Sequence, residues 1–256
     1  MAFLRAGGGA PMVLLHGVGL RAECWFPQIR ALRRTHLVIA ADLPGHGESA
    51  RLSAPKPALA DFVDKIGGFV KTAAKGRAFL VGHSAGALIA LSLAARFPER
   101  CRGVAALNAV YRRTPAARAA VRERAAALQN ANADSAPTVA RWFGEYPSGR
   151  AAKMAVLCRR WLDSADCHGY AALYRVFAEE ERAADGALSA LRVPALFLTG
   201  EKDANSTPAM SAAMAKIAPR GRAVVVRGAG HLAQLTHPAE VNAALREFAG
   251  ECGGGA

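Results

Sequence analysis

The stretch from residue 78 to residue 86, Ala-Phe-Leu-Val-Gly-His-Ser-Ala-Gly, constrains the fold more than any other part of the sequence. It begins as a short apolar run typical of a buried strand, and helix-forming residues follow it from 87 to 95. Between them, Gly82, Ser84 and Gly86 form the pattern G-x-S-x-G. A serine between glycines, after a strand and before a helix, predicts a nucleophile elbow, because so tight a turn strains the serine backbone and excludes side chains two positions away. An ordinary glycine-serine turn is the alternative, and the flanking strand and helix make it the weaker one.

Length and composition predict a single folded unit. The 256 residues are enough to bury one large core and few for two independent domains. A hydrophobic fraction of 52% and a charged fraction of 21% are typical of a globular enzyme. No apolar run approaches the roughly 18 residues that span a bilayer, and residues 1–9 lack the apolar segment of a secretory signal. We therefore expect no membrane partner.

Cysteine usage indicates a reducing compartment. The five cysteines are odd in number and scattered, and their spacing fits neither disulfides nor metal ligands. We therefore expect free thiols, a cytoplasmic location and no metal site.

The formal net charge of +13 raises the question of nucleic acid binding. Arginine supplies most of the positive charge, and it is spread along the whole chain. No basic run is interleaved with aromatic side chains that could stack on bases. We therefore predict no nucleic-acid partner and interpret the charge as a solvated surface that could also attract anionic substrates.

Apolar runs and helix-forming stretches alternate along most of the chain. The runs that indicate strands lie near residues 3–5, 12–15, 37–43, 78–83, 103–110, 194–200 and 223–227. This alternation predicts a mostly parallel α/β sheet with helices on both faces, and such sheets bind ligands at the carboxyl ends of their strands. Ser84, Asp203 and His231 each come just after such an end.

Residues 112–192 differ in character from the rest of the chain. They are strongly helix-forming, with breaks at proline and glycine, and they predict a helical lid inserted into a core of residues 1–111 and 193–256. Aromatic side chains concentrate in this segment, where a stripe on a helix is usually core but can line a pocket beneath a lid. The candidate pocket residues are Trp142, Trp161, Tyr174 and, on the core, His16.

The polar residues at the strand ends fit nucleophilic acyl transfer, which needs a base, an acid that orients the base, and donors for the oxyanion. His231 follows the last strand on a glycine-rich turn, and Asp203 follows the strand before it, so both can approach Ser84. The chain order Ser, Asp, His fits this assignment. For the oxyanion we predict the backbone N–H groups of Val18, in the turn after the second strand, and of Ala85, which opens the helix after the serine.

Several segments together carry a family resemblance. They are His16-Gly17-Val18-Gly19, Asp42-Leu-Pro-Gly-His-Gly-Glu-Ser49, Gly82-His-Ser-Ala-Gly86, Gly200-Glu-Lys-Asp203 and Gly228-Ala-Gly-His231. Over nearly its full length the chain resembles lidded α/β-hydrolases of the esterase and lactonase kind, and it is most similar to 3-oxoadipate enol-lactonases and related carboxylesterases.

This resemblance implies an α/β-hydrolase sheet of about seven strands. It also implies a serine hydrolase that cleaves a small carboxylic ester or lactone through an acyl-enzyme, with neither a metal nor an organic cofactor. Some members of the fold carry the acid after the strand that here ends near Asn108. Because an asparagine cannot carry the charge, this favours Asp203 as the acid.

Alternatives to an esterase or lactonase stay open. Serine at position 84 argues against haloalkane dehalogenases and epoxide hydrolases, which need aspartate there, but carbon–carbon bond hydrolases share the serine triad. A ligand-binding protein of the same fold without turnover is a further alternative. The oligomeric state could be monomer or homodimer. An anionic substrate would need a cationic pocket wall, for which the lid offers Arg112, Arg113, Arg141, Arg159, Arg160 and Arg175.

Overall fold

The structure, a computed structural model, describes residues 1–128, 134–180 and 183–253, the side chains of 183–185 excepted. The glycine-rich tail, residues 253–256, predicts disorder. Residues 254–256 lie outside the described ranges, and at Gly253 the prediction is wrong, because Gly253 is the last residue of a helix.

One sheet of seven strands, in the order β1-β3-β2-β4-β5-β6-β7, forms the centre of the fold. The strands are β1 (Phe3–Ala6), β2 (Ala10–Leu15), β3 (His36–Ala41), β4 (Ala78–His83), β5 (Cys101–Leu107), β6 (Ala195–Gly200) and β7 (Gly221–Val226). Strand β1 is antiparallel to β3, and every other neighbouring pair is parallel. The predicted α/β sheet of about seven mostly parallel strands is therefore confirmed.

Helices connect the strands and fill the space between β5 and β6. They are α1 (Phe26–Leu32), α2 (Leu59–Ala74), α3 (Ala85–Arg96), α4 (Pro115–Ala127), α5 (Ala136–Phe143), α6 (Gly149–Asp163), α7 (Cys167–Glu179), α8 (Ala183–Ser189), α9 (Pro208–Ile217), α10 (Ala233–Thr236) and α11 (Pro238–Gly253). The near-helical spacing of Trp25, Phe26, Ile29 and Leu32 predicts one helix over residues 21–34. The structure divides it, because a 3₁₀ turn at Ala22–Trp25 precedes α1. Within the described ranges, no helix combines the length and the apolar character needed to cross a bilayer.

Alternate residues of the central strands face two separate cores. In β2, Val13 and Leu15 pack into the core beneath α2 and α3, whereas Met12 and Leu14 pack into the core beneath α1 and α11. Because helices cover both faces of the sheet, the central strands are buried on both sides and are apolar at nearly every position. This explains why their sequences show continuous apolar runs rather than alternation.

The strand order reverses between β2 and β4. From β2 the chain adds β3 on one side of the sheet, and then returns to place β4 on the other side. At such a reversal the connections leave in opposite directions and open a crevice at the carboxyl ends of the strands. The loop after β2, residues 16–20, and the turn after β4 both lie at this crevice.

The turn from β4 into α3 consists of Ser84 alone. Its φ of 52° and ψ of −116° lie in a region that residues with a side chain rarely adopt. A Cβ atom on Gly82 would lie 2.2 Å from the carbonyl oxygen of Gly86, and one on Gly86 would lie 2.3 Å from the carbonyl oxygen of Leu15. The first turn of α3 thus rests directly on the backbone of β2, in the geometry of a nucleophile elbow.

We expect Gly86→Ala to lower the free energy of unfolding by at least about 2 kcal/mol, because the new methyl group collides with carbonyl oxygens that the sheet holds in place. Gly68→Ala is the matched control, since its Cβ in α2 would meet nothing within 4 Å, and it should raise stability by about 0.5–1 kcal/mol. Urea unfolding measures both. A Gly86→Ala protein as stable as wild type would contradict the backbone contact.

Candidate active site

Four neighbouring strands end in polar residues at one edge of the sheet. Ser84 follows β4, Asn108 follows β5, Asp203 comes after β6 and His231 comes after β7. All four side chains are buried. The structure therefore gathers Ser84, Asp203 and His231, the residues predicted for the triad, at one place together with Asn108, as expected for parallel strands.

Asp203 is held by a complete set of hydrogen bonds. Its Oδ2 accepts from His231 Nδ1 at 2.8 Å, from Asn108 Nδ2 at 2.8 Å and from the hydroxyl of Ser206. Its Oδ1 accepts from the backbone N–H groups of Asn205, at 2.8 Å, and of Ser206, at 3.2 Å. The carboxylate therefore has one orientation, with Oδ2 turned to the imidazole.

These contacts keep Asp203 ionised in spite of its burial. Burial by itself raises the pKa of the Asp203 carboxyl group, but the facing charge of His231 and the hydrogen bonds from His231, Ser206 and Asn108 outweigh it. The net effect holds the pKa of Asp203 below its ordinary value.

Asn108 supports the carboxylate rather than replacing it. Its φ of 49° lies in the left-handed region, which asparagine tolerates better than most residues. In the sequence, Asn108 was considered only as a residue that lacks the charge needed for the acid. Its position at the end of the neighbouring strand was the signal that its amide would meet Asp203.

His83, inside the G-x-S-x-G pattern, anchors the loop that carries His231. Its Nε2–H donates to the backbone carbonyl of His231 at 2.9 Å. The centroids of the His83 and His231 rings lie 5.1 Å apart. Burial, followed by the charge of His231, lowers the pKa of His83 to about 3, so His83 is a neutral donor. Sequence reasoning did not identify this contact, which spans 148 positions of the chain.

Ser84 and His231 line the same cavity, of about 380 Å³. Within the described part of the chain they are not hydrogen-bonded to one another, as is common for such pairs before a substrate tightens the site. A larger cavity, of about 610 Å³, lies between residues 51–57 and α7 and contains none of the polar strand ends. We therefore take the smaller cavity as the candidate site.

The loop after β2 borders the nucleophile. A Cβ on Gly17 would lie 3.2 Å from the Cβ of Ser84, and Val18 lines the cavity. Ala85, the first residue of α3, is fully buried behind Ser84. The described residues offer no hydrogen-bond acceptor to the backbone N–H groups of Val18 and Ala85.

Two of the expected pocket residues do not line the cavity. His16 is fully buried, where its Nδ1–H donates to the carbonyl of Gly17 at 2.7 Å and its Nε2 accepts from the N–H of Leu43 at 2.9 Å. Burial lowers the pKa of His16 well below its ordinary value, so His16 is neutral. Its two hydrogen bonds connect the loop after β2 with the loop after β3. Trp161 packs instead in the core beneath α1 and α11. Trp142 and Tyr174 do line the cavity.

Three helices between β5 and β6 each present one face to the cavity. The lining residues are Ala117, Ala120, Val121 and Arg124 of α4, Thr138, Arg141 and Trp142 of α5, and Tyr170, Tyr174 and Phe177 of α7. Each set follows the i, i+3, i+4 spacing of a single helix face. This periodicity was the signal by which the sequence could have separated cavity residues from the rest of the segment.

The arginines expected to form a cationic wall divide into two groups. Arg113 and Arg141 line the cavity, whereas Arg112, Arg159, Arg160 and Arg175 do not. Arg124, which sequence reasoning missed, lines it too. Arg124 Nε donates to the hydroxyl of Tyr174 at 3.1 Å, and Arg141 donates to Thr138 Oγ1 at 2.8 Å.

Neither Arg124 nor Arg141 forms an ion pair with a carboxylate of the described residues. Partial burial lowers the pKa of Arg141 from its ordinary value, and the nearby charge of Arg124 contributes in the same direction. Two guanidinium groups therefore share the cavity wall without a counter-ion from this part of the chain. In the same ranges, no three His, Cys, Asp or Glu side chains converge in a metal-binding arrangement.

We expect the stability that Asp203 contributes to depend on pH. Because its pKa is lower in the folded protein than in the unfolded chain, the contribution is present above about pH 4 and is lost as the pH falls through the folded-state pKa. In urea unfolding, the difference between wild type and Asp203→Asn should therefore narrow between pH 6 and pH 3. Asp64→Asn, at an exposed ion pair on α2, should show little change. A constant difference for Asp203→Asn would refute the lowered pKa.

Known proteins with similar sequences and structures agree with this architecture. The (E)-2-((N-methylformamido)methylene)succinate hydrolase of Acinetobacter baylyi is 39% identical over 246 residues, which cover 96% of this chain and 92% of that protein. A thermophilic esterase from Thermogutta terrifontis, solved with malate bound, superimposes with a TM-score of 0.86 at 28% identity, covering 98% of this chain and 93% of that one.

The enol-lactonase from Burkholderia xenovorans LB400 shares the fold, with a TM-score of 0.86 at 24% identity over 96% of this chain and 95% of that one. The sequence profile described as "Alpha/beta hydrolase family" matches residues 12–244. The family resemblance drawn from the motifs is therefore confirmed, and the chain is a hydrolase that belongs to the alpha/beta hydrolase family.

Proposed function

We propose that this hydrolase acts through a triad in which Ser84 is the nucleophile, His231 the general base and Asp203 the orienting acid. The observation that carries the proposal is the 2.8 Å hydrogen bond from His231 Nδ1 to Asp203, made by an imidazole that shares the cavity with Ser84. Because Nδ1 is engaged, Nε2 is the nitrogen left to take the serine proton.

The chemistry follows from these positions. His231 Nε2 accepts the proton of Ser84 Oγ as the oxygen attacks the carbonyl carbon of the substrate, and Asp203 stabilises the imidazolium that forms. The tetrahedral intermediate collapses when His231 returns the proton to the leaving nitrogen or oxygen, which gives an acyl-enzyme. Water, deprotonated by the same imidazole, then releases the acid and regenerates Ser84.

We assign the oxyanion hole to the backbone N–H groups of Val18 and Ala85. Both lie beside Ser84, and the described residues leave both without an acceptor. Ala85 is in the first turn of α3, where unsatisfied N–H groups and the helix dipole favour negative charge. Such donors stabilise the charge that develops in the transition state.

We further propose that α4 to α7 form the lid predicted for residues 112–192. Helices α4, α5 and α7 supply most of the cavity wall that faces Ser84, and the core supplies the reacting groups. In this proposal the helices select the substrate, and the residues at the ends of the strands carry out the chemical step.

For the substrate we propose a small amide that carries two carboxylates. The relative from Acinetobacter baylyi is named for a succinate with an N-acylated aminomethylene substituent. A molecule of that kind has an acyl carbonyl for Ser84 and two negative charges. The cavity of about 380 Å³ is of the size that takes such a ligand.

Arg124 and Arg141 support a dianionic substrate. Each donates hydrogen bonds to neutral oxygens, and neither has a carboxylate partner in the described part of the chain. A guanidinium group binds a carboxylate through paired charge-assisted hydrogen bonds, and two such groups in one cavity match a dicarboxylate.

A dicarboxylate ester or lactone is the second candidate substrate. The esterase from Thermogutta terrifontis was solved with malate, a dicarboxylate, bound. Esters and lactones pass through the same tetrahedral intermediate, so the triad serves them equally well. The two candidates differ in the atom that leaves and share the two charges.

We expect Ser84→Ala to lower kcat by a factor of about 10⁴–10⁶ and to leave the melting temperature nearly unchanged. Labelling by a fluorophosphonate probe, mapped by mass spectrometry, should modify Ser84 in wild type and no residue in the variant. Labelling at another residue, or turnover that survives the substitution, would disprove the nucleophile assignment.

We expect Arg124→Gln and Arg141→Gln each to raise KM for a dicarboxylate substrate about 10- to 100-fold. This factor corresponds to the binding free energy of one charge-assisted hydrogen bond, which each variant loses. KM for a neutral p-nitrophenyl ester should change little. Arg160→Gln, an exposed arginine of α6 outside the cavity, is the matched control.

The substrate panel should contain N-acylated aminomethylene succinates, dicarboxylate esters, carboxylate-bearing lactones and neutral esters. Equal loss on neutral and anionic substrates in the arginine variants would contradict the carboxylate role. Turnover of a β-diketone substrate alone, with amides and esters untouched, would favour the carbon–carbon hydrolase alternative.

A further inference from the structure

Trp142 lies beside the proposed general base, on the side of the helices. Its ring stacks on the imidazole of His231 with centroids 6.3 Å apart and an angle of 29° between the planes. The backbone is close as well, since a Cβ on Gly230 would lie 3.2 Å from the carbonyl oxygen of Trp142. The end of α5 therefore rests against the turn that carries His231.

We propose that Trp142 is a positioning residue for His231, holding the imidazole plane toward Asp203 and stabilising the imidazolium with the face of its indole. The inference rests on the proposed role of His231 as the general base. It assigns to a lid residue a function in the chemical step, beyond forming a wall for the substrate.

The imidazole needs this third support. Its Nδ1 is hydrogen-bonded to Asp203, and the backbone carbonyl of its residue accepts from His83, but neither contact prevents the ring from tilting about the bond to Asp203. The indole of Trp142, stacked on one face of the imidazole, restricts that tilt. The π-electrons of an indole also attract a cation placed over the ring, so the stack favours the protonated form of the base.

The groups that face His231 make the effect measurable through pH. Asp203 faces the imidazole from the end of β6, and His83 and Ser84 face it from the end of β4. Trp142 has no charge, and the guanidinium groups of Arg113, Arg124 and Arg141, which line the same cavity, stay charged between pH 5 and pH 9. Burial, then the His231 charge, lowers the pKa of His83 to about 3, and the pKa of Asp203 is held below its ordinary value. Between pH 5 and pH 9 these two neighbours keep their charge states, so a change of the labelling midpoint in that range does not come from them.

The test is the second-order rate of labelling of Ser84 by a fluorophosphonate probe, measured from pH 5 to pH 9. This readout needs the nucleophile and the base but no knowledge of the natural substrate. We expect Trp142→Leu to move the pH midpoint of labelling down by about 0.5 unit, since loss of the π contact disfavours the cation while leucine keeps the site apolar. The plateau rate at high pH should fall about tenfold because the base is less well placed.

Two further variants distinguish a positioning role of Trp142 from a general effect of removing a packed tryptophan. Trp142→Phe keeps an aromatic face and should restore the midpoint to within 0.2 unit of wild type, about the precision of such profiles. Trp161→Leu, at a tryptophan of α6 that does not line the cavity, should leave the midpoint and the plateau rate unchanged.

Should Trp142→Leu fail to fold by circular dichroism, Trp142→Met supplies the non-aromatic variant. A midpoint and plateau equal to those of Trp161→Leu would overturn the inference while leaving the triad in place. Absence of labelling at Ser84 in wild type would instead overturn the proposed function, and the inference with it.

Discussion

The direct contact between the first turn of α3 and the end of β2 is the constraint on which the site depends. It requires glycine at position 86, where the backbone meets the carbonyl oxygens of Leu15 and His16, and it leaves Ser84 in a conformation that costs about 1–3 kcal/mol. The fully buried strand β4 and the apolar helix α3 hold the turn in place from both ends. Because the contact is made by backbone atoms, it sets the spacing between Ser84 and the loop after β2 as long as position 86 carries no side chain.

Burial then decides the charge state of each polar group around the turn. His16 and His83 lie in apolar surroundings that lower their pKa, so both are neutral and brace backbone atoms. Asp203 is the exception, because its hydrogen bonds and the facing imidazole compensate an ionised carboxylate that would otherwise cost several kcal/mol to bury. The site thus places a buried negative charge behind His231.

Sequence reasoning could predict the strand ends that carry Ser84, Asp203 and His231, because apolar runs mark the strands and parallel strands end at one edge. It could not predict that His16 faces Leu43 rather than the cavity, since that depends on the register of two strands far apart in the sequence. Arg124 was missed for a related reason. The spacing along α4 groups Arg124 with Ala117 and Val121 on one face, and the packing of α4 against α7 decides that this face is turned to the cavity.

The division between sheet and helices explains why a triad alone says little about substrate. Amides, esters and lactones develop the same oxyanion, so the proposed nucleophile, base and backbone donors treat them alike. Discrimination has to come from groups that contact the rest of the molecule. The cavity wall holds two guanidinium groups without a carboxylate partner in the described part of the chain, on helices whose other inward-facing residues are mostly apolar or aromatic. The dicarboxylate substrate proposed above would replace repulsion between these groups by charge-assisted contacts, whereas a neutral ester would leave the repulsion in place. The proposal of an anionic substrate therefore rests on the charges carried by the helices and does not depend on which bond is broken.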